Sequence, residues 1–198
     1  MEFYHRSSGR PQTIGILAGS FNPPTVAHVE LAQAAQGVVD EVLWVVPREF
    51  PHKEYFGATL EQRLEMLEAV RIPAPHSIAA TEKGLFIEIA RDCRRYYDPG
   101  ARLYFICGRD AAERILHWDY GRPGVVEEML GEFELLVAPR GGVYEPPEAY
   151  RHRIHPLVAD GGIEAVSSTE VRERIARGEA WERLVPDTII DRVREIYS

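Results

Sequence analysis

The feature that most constrains this chain is a series of short apolar runs, each closed by a glycine or proline and followed by a helical pattern. Thr13-Ile14-Gly15-Ile16-Leu17-Ala18-Gly19 and Val42-Leu43-Trp44-Val45-Val46-Pro47 are apolar throughout and do not alternate with polar residues. A strand without a polar face is covered on both sides, the condition of a strand inside a parallel sheet. Between the two runs, residues 26–36 place Val26, Val29, Ala32 and Ala35 in helical register, and Gly37 follows where a C-terminal cap belongs. The alternation continues. Helices are expected over 60–70, 84–96 and 110–116, and strands over 102–107, 133–138 and, briefly, 154–158. Two closing helices follow, over 168–177 and 188–197. Alternating strands and helices of these lengths predict an α/β fold, a Rossmann-like parallel sheet with helices on both faces.

A chain of 198 residues, 45% of them hydrophobic, has the material for one core. Residues 13–198 read as that single domain, and the polar residues 1–12 as a flexible leader with no apolar signal-peptide region. The stretch 140–156 is loop-like and too short to be a domain. The net charge of −8 disfavours nucleic acid as a partner, because a phosphate backbone is bound through an excess of Lys and Arg. A small anion held by local N–H groups and arginine stays compatible with an acidic chain. No apolar stretch has the length of a membrane span, so no membrane association is expected and the chain reads as a cytoplasmic protein. The two cysteines, Cys93 and Cys107, form no CxxC pair, and His152 and His155 lie in the loop-like stretch without a third ligand; no metal site is expected. Oligomeric state leaves no trace in the sequence.

In a sheet of this kind ligands bind beyond the carboxyl ends of the strands, where strand order reverses. The first such segment is Gly19-Ser20-Phe21-Asn22-Pro23-Pro24-Thr25-Val26-Ala27-His28. Gly19 admits a close ligand, the prolines stiffen the turn, and Thr25 is placed to cap the following helix. A helix N-terminus offers free N–H groups and partial positive charge to a phosphate. His28, three residues on, shares a face with Thr25, so both are candidates to donate hydrogen bonds to a phosphoryl oxygen as charge builds on it. An ordinary cap beside a packed histidine fits the same residues. Neither a GxGxxG fingerprint nor a Gly-Lys-Ser/Thr loop is present.

The second segment is Val166-Ser167-Ser168-Thr169-Glu170-Val171-Arg172. Three hydroxyls at a helix start make an anion site, and Arg172, one turn along, is positioned to fold back over the same anion. A capping motif with a solvated arginine explains the pattern equally simply. Gly108-Arg109-Asp110 follows another strand, and its aspartate suits either a ribose diol or a helix cap.

Together these segments resemble a known family. Gly19-Ser20-Phe21-Asn22-Pro23-Pro24-Thr25 followed by His28 is similar to the (H/T)xGH signature of the nucleotidyltransferase superfamily, and in particular to nicotinate and nicotinamide mononucleotide adenylyltransferases. Thr25 stands where many members carry histidine, and Ala27 where glycine is usual. Val166-Ser167-Ser168-Thr169 with Arg172 resembles the family's ISSTxxR motif, and Leu184-Val185-Pro186 its turn near the C-terminus. The resemblance runs from Thr13 to Tyr197. It implies His28, Thr25 and Arg172 as catalytic residues and Gly19, Ser20, Phe21, Gly108, Asp110, Ser167, Ser168 and Thr169 as the ATP site. It further implies Lys53 (in Pro51-His52-Lys53), Arg63 (in Arg63-Leu64-Glu65-Met66-Leu67), Trp118 and Arg140 around the mononucleotide. Trp118 is also explained as a core residue, and Lys53 as a surface lysine. The implied reaction moves AMP from Mg²⁺-bound ATP to a small phosphorylated acceptor, with release of pyrophosphate, in NAD biosynthesis. Where the nicotinate enzymes carry Gly-x-Ser-Tyr-Thr, this chain reads Lys83-Gly84-Leu85-Phe86-Ile87, which leaves nicotinate, nicotinamide or another acceptor open. The alternatives are a relative using phosphopantetheine or a CTP-dependent acceptor, and a nucleotide sensor without turnover.

Overall fold

The computed structural model describes residues 1–49, 57–72, 75–139, 144–158 and 166–198. Its centre is a seven-stranded sheet: β1 Glu2–His5, β2 Thr13–Ala18, β3 Glu41–Pro47, β4 His76–Thr81, β5 Arg102–Gly108, β6 Glu134–Ala138 and β7 Ile154–Pro156, in the order β1-β4-β3-β2-β5-β6-β7. Every pairing is parallel except β1 with β4. The helices are α1 Val26–Gln36, α2 Leu60–Ala69, α3 Phe86–Cys93, α4 Arg109–His117, α5 Val125–Glu132, α6 Ser168–Ala176 and α7 Ile190–Tyr197.

The pleat sorts each strand's side chains into two cores. Val42, Trp44 and Val46 of β3 join the cluster under α1, α2, α6 and α7, while Leu43 and Val45 join the cluster under α3, α4 and α5. All are fully buried, which is why the run contains no polar residue. Gly15 of β2 fits the same economy: a Cβ there would meet Ile106 and Val39 side chains at 3.0 Å.

Three elements depart from the sequence reading. The expected leader is a loose chain only in part, because Glu2–His5 pairs antiparallel with β4, Phe3 opposite Ala79. Its polar alternation, read as leader-like, belongs to an edge strand with one face on the sheet's rim. Strand β4 was not foreseen: in His76-Ser77-Ile78-Ala79-Ala80-Thr81 the strand preference of Ile78 and Thr81 is diluted by Ser77, Ala79 and Ala80, yet the segment is buried beside β3. Helix α5, which follows Gly121, Pro123 and Gly124, is not among the helices the sequence predicts. His155 is half-buried in β7, with its ring 2.5 Å from the Glu134 carboxylate. Cys93 and Cys107 are buried thiols, each pushed up to about 12 mainly by desolvation.

Strand order reverses between β2 and β5. From β2 the chain crosses to β3 and β4 on one side, then returns to β5 and β6 on the other. The carboxyl ends of β2 and β5 therefore open a crevice, and Gly19 and Gly108 stand at its two lips. No helix among the described residues is long and apolar enough to cross a membrane.

Candidate active site

The loop leaving β2 is held in one shape from several directions. The Gly19 N–H donates to the Val45 carbonyl (3.0 Å), so the loop starts as an extension of the sheet. Phe21 then adopts φ 46°, a left-handed conformation costing a residue with a Cβ roughly 1–2 kcal/mol. Its ring is 1% exposed and packs on Trp44 (5.3 Å) and His28 (5.0 Å), and that burial offsets the cost. A cis peptide joins Asn22 to Pro23. The Asn22 side-chain oxygen accepts from the Ala58 N–H (3.1 Å) and from the Tyr197 hydroxyl.

Helix α1 begins directly after this loop, with Thr25 as N-cap in extended conformation. The Thr25 N–H donates to His28 Nδ1 (3.0 Å), the half of a capping box in which the third helical residue reaches back. Thr25 Oγ1 lies 2.7 Å from the same nitrogen. Since Nδ1 accepts the backbone N–H, the neutral ring carries its proton on Nε2, which is left as a donor. Burial lowers His28 from 6.5 to about 4, so the imidazole is neutral at pH 7. Thr25 itself is 0% exposed. Its hydroxyl faces the His28 ring, so Thr25 holds the imidazole in place from the cap position.

The second segment meets the first from the far end of the chain. Ser167 caps α6 by accepting from the Glu170 N–H (3.1 Å), whereas Ser168 Oγ donates to the Pro23 carbonyl at 2.7 Å. Arg172 donates to the Asn22 carbonyl and to the Ser168 carbonyl (3.2 Å), and its other arm reaches Thr169 Oγ1 (3.3 Å). Ser167 caps the helix, as the capping explanation has it, while Ser168 and Arg172, instead of being solvated, fasten α6 to the Asn22-Pro23 turn. Two helix N-termini, α1 and α6, converge there with their free N–H groups and positive dipole ends, and an anion is the natural guest.

Arg63 also belongs to the frame. It is 3% exposed, and its guanidinium donates to the Ser20 carbonyl (3.3 Å) and the Thr59 carbonyl (3.3 Å). With these two contacts the side chain props the loop from α2. Thr59 in turn caps α2 through a reciprocal box with Gln62, the two hydrogen bonds being 3.2 and 2.8 Å. Sequence reasoning missed Asn22, Gly57 and Tyr197. Gly57 has φ +115°, and a Cβ on it would lie 2.7 Å from the Asn22 side-chain oxygen. The available signal was a polar residue in an otherwise apolar Phe-Asn-Pro-Pro turn, which only a buried hydrogen-bonding role explains.

Across the crevice, Gly108 caps α4 and a Cβ on it would meet nothing within 4 Å, so this lip is open. Asp110 lies exposed in the first turn of α4. At the other end of α4, Trp118 is 48% exposed, which removes it from the core. It borders a cavity of about 500 Å³ between α4, α5 and the start of α3, with Leu85, Phe86, Ile115 and Met129 among its walls. Leu85 and Phe86 come from the stretch that departs from the nicotinate enzymes' pattern. Lys53 and Arg140 lie outside the described residues. Among the described residues no three His, Cys, Asp or Glu side chains gather in a metal-binding cluster.

A parallel sheet reversing its order at two glycine lips, with two helix N-termini and a neutral histidine at the crossing, defines a nucleotide-binding enzyme of the nucleotidyltransferase class. The cytidylyltransferase-like family matches residues 16–174. A probable nicotinate-nucleotide adenylyltransferase of Thermus thermophilus is 34% identical over 89% of this chain and 93% of its own. One of Exiguobacterium sibiricum is 29% identical over 92% and 96%. Among solved structures, the Plasmodium falciparum nicotinic acid mononucleotide adenylyltransferase complexed with NaAD superposes with a TM-score of 0.70 at 18% identity, over 92% of this chain and 95% of that one. The chain belongs to the cytidylyltransferase-like family, among the nicotinate-nucleotide adenylyltransferases.

Proposed function

We propose that this enzyme transfers AMP from ATP to the phosphate of nicotinate mononucleotide, releasing pyrophosphate and forming the dinucleotide. An oxygen of the acceptor phosphate attacks the α-phosphorus of ATP, the bond from that phosphorus to the β-bridging oxygen breaks, and pyrophosphate carries the electron pair away. Chemistry of this kind needs positioning and charge stabilisation more than a proton carrier. A histidine held neutral suits that demand, because Nε2–H donates to the α-phosphoryl oxygen without adding a proton to titrate. Ser168, Thr169, Arg172 and the α6 N-terminus take the β- and γ-phosphates, Asp110 the ribose hydroxyls, and Gly19 and Gly108 the close passage of the nucleotide. The divalent cation enters with ATP as part of that substrate, held largely by phosphate and water.

The observation carrying this reading is the Ser168 to Pro23 and Arg172 to Asn22 contact pair, which fuses two phosphate-binding segments from opposite ends of the chain into one anion site. The relatives' activity as nicotinate-nucleotide adenylyltransferases supports this acceptor. Its location is supported by the cavity beside Trp118, whose exposed indole offers a face to a flat ring. Pyrophosphate release measured with Mg-ATP and either nicotinate or nicotinamide mononucleotide tests the proposal. Turnover with one of them is expected; a folded, ATP-binding protein that turns over neither overturns it and directs the search to other phosphate acceptors.

A further inference from the structure

Three arginines line the cavity beside Trp118, and they differ in what they face. Arg91 is paired with Glu132 (2.9 Å), and Arg122 forms two parallel bonds with Glu128 (2.7 and 2.6 Å). Arg114 has no hydrogen-bond or ion-pair partner among the described residues, since the neighbouring Glu113 is taken by Arg109 at 2.7 Å. The other positive feature at this cavity is the first turn of α3, and it already carries its own Glu88, paired with Lys83 at 3.2 Å. Leu85, Phe86, Ile115 and Met129 make the apolar walls, and the Tyr120 hydroxyl is spent on the Ile115 carbonyl (3.0 Å). A ring sliding between such walls thus meets a single uncompensated charge, and that charge is positive. Arg114 lies on the last turns of α4 and Trp118 is the residue that ends that helix, and both line the cavity, so a ring resting on the indole sits in the same cavity as the guanidinium.

We infer that Arg114 is the specificity-determining residue that selects a carboxylate over a carboxamide on the acceptor's ring; this rests on the proposed function and refines its acceptor. A carboxylate accepts two parallel N–H bonds from a guanidinium. A carboxamide presents one acceptor and a donor pair, so half of it faces N–H groups with the wrong polarity. The acid is then recognised from α4 even though the Ser-Tyr-Thr element is missing from this chain.

The test is steady-state kinetics of wild type, Arg114→Gln and Arg114→Lys at saturating Mg-ATP with both mononucleotides. Arg114 is exposed and unpaired, so the melting temperature and the KM for ATP should not move in either variant. Arg114→Gln is expected to lower kcat/KM for nicotinate mononucleotide roughly tenfold to a hundredfold, through KM, the range of one charge-assisted hydrogen bond. With nicotinamide mononucleotide it should change little, and Arg114→Lys should restore part of the preference. An unchanged acid-to-amide ratio in Arg114→Gln, or a wild type that prefers the amide, overturns the inference and leaves AMP transfer standing. A wild type inert towards both acceptors overturns the inference and the proposed function together.

Discussion

Around Pro23, α1, α2, α6 and α7 all send a side chain to one turn: His28 and Thr25, Arg63, Ser168 and Arg172, Tyr197. Most of these groups are buried or half-buried, and their hydrogen bonds run to backbone carbonyls or to each other. Around Trp118 the walls come from α3, α4 and α5, the decisive groups are exposed, and contact is apolar. The first region is a set geometry and the second a shaped surface. That difference matches what each must do. Transition-state charge on a phosphorus has to be met by donors already in place, since moving them during the reaction costs energy. An acceptor ring has to be chosen by a few contacts that another relative can exchange without disturbing the chemistry.

Substitutions sharpen the contrast. His28→Ala removes the one imidazole at the crossing and is expected to lower kcat by roughly 10²–10³-fold, with the fold intact by circular dichroism. Near-normal turnover would remove His28 from the chemistry. Gly57→Ala tests whether the turn is as rigid as its contacts require. A Cβ 2.7 Å from the Asn22 oxygen, at φ +115°, should destabilise by about 1–3 kcal/mol and displace Asn22. Roughly 2–4 °C of melting temperature for each kcal/mol, accompanied by a fall in kcat, is the expected signature. In the softer region the same kind of change should spare stability. Trp118→Ala is expected to raise the acceptor KM about tenfold while leaving the ATP KM and the melting temperature near wild type. A large loss of stability instead would make Trp118 part of the frame.

The smallest effect is a pH dependence. His28 is lowered from 6.5 to about 4 in the folded protein, so between these values the unfolded chain binds a proton that the native state refuses. Stability therefore rises with pH across that window and is lost as pH falls from 6.5 towards 4. Melting temperatures of wild type and His28→Gln, followed from pH 7 to 4.5, should show a steeper acid decline in wild type. In kcat/KM, which reports the free enzyme, the limb from His28 should lie near 4 and not near 6.5.

Much of this molecule was legible in its sequence because burial writes itself into composition. Strands β2, β3, β5 and β6 lie inside a parallel sheet covered on both faces, and their unbroken apolar runs have no other explanation. The two segments that meet at the Pro23 turn were legible for a related reason: hydroxyls, prolines and glycine at a strand-to-helix turn leave few roles to choose from. What stayed hidden was decided by neighbours. Strand β4, made largely of alanine, serine and threonine, is a strand because β3 and β1 lie beside it, and β1 is a strand because β4 has a free edge. Arg63 and Trp118 look alike in sequence as polar or aromatic residues with two available fates. Only tertiary packing sends the arginine inside, 3% exposed beneath Ser20, and the tryptophan out to the cavity at 48%. The same holds for Thr25, whose partner is His28, and for Arg172, whose carbonyl partner lies 150 residues away. Local chemistry determines which groups are able to bind phosphate; the long-range contacts decide which of them face it and which hold the others in place.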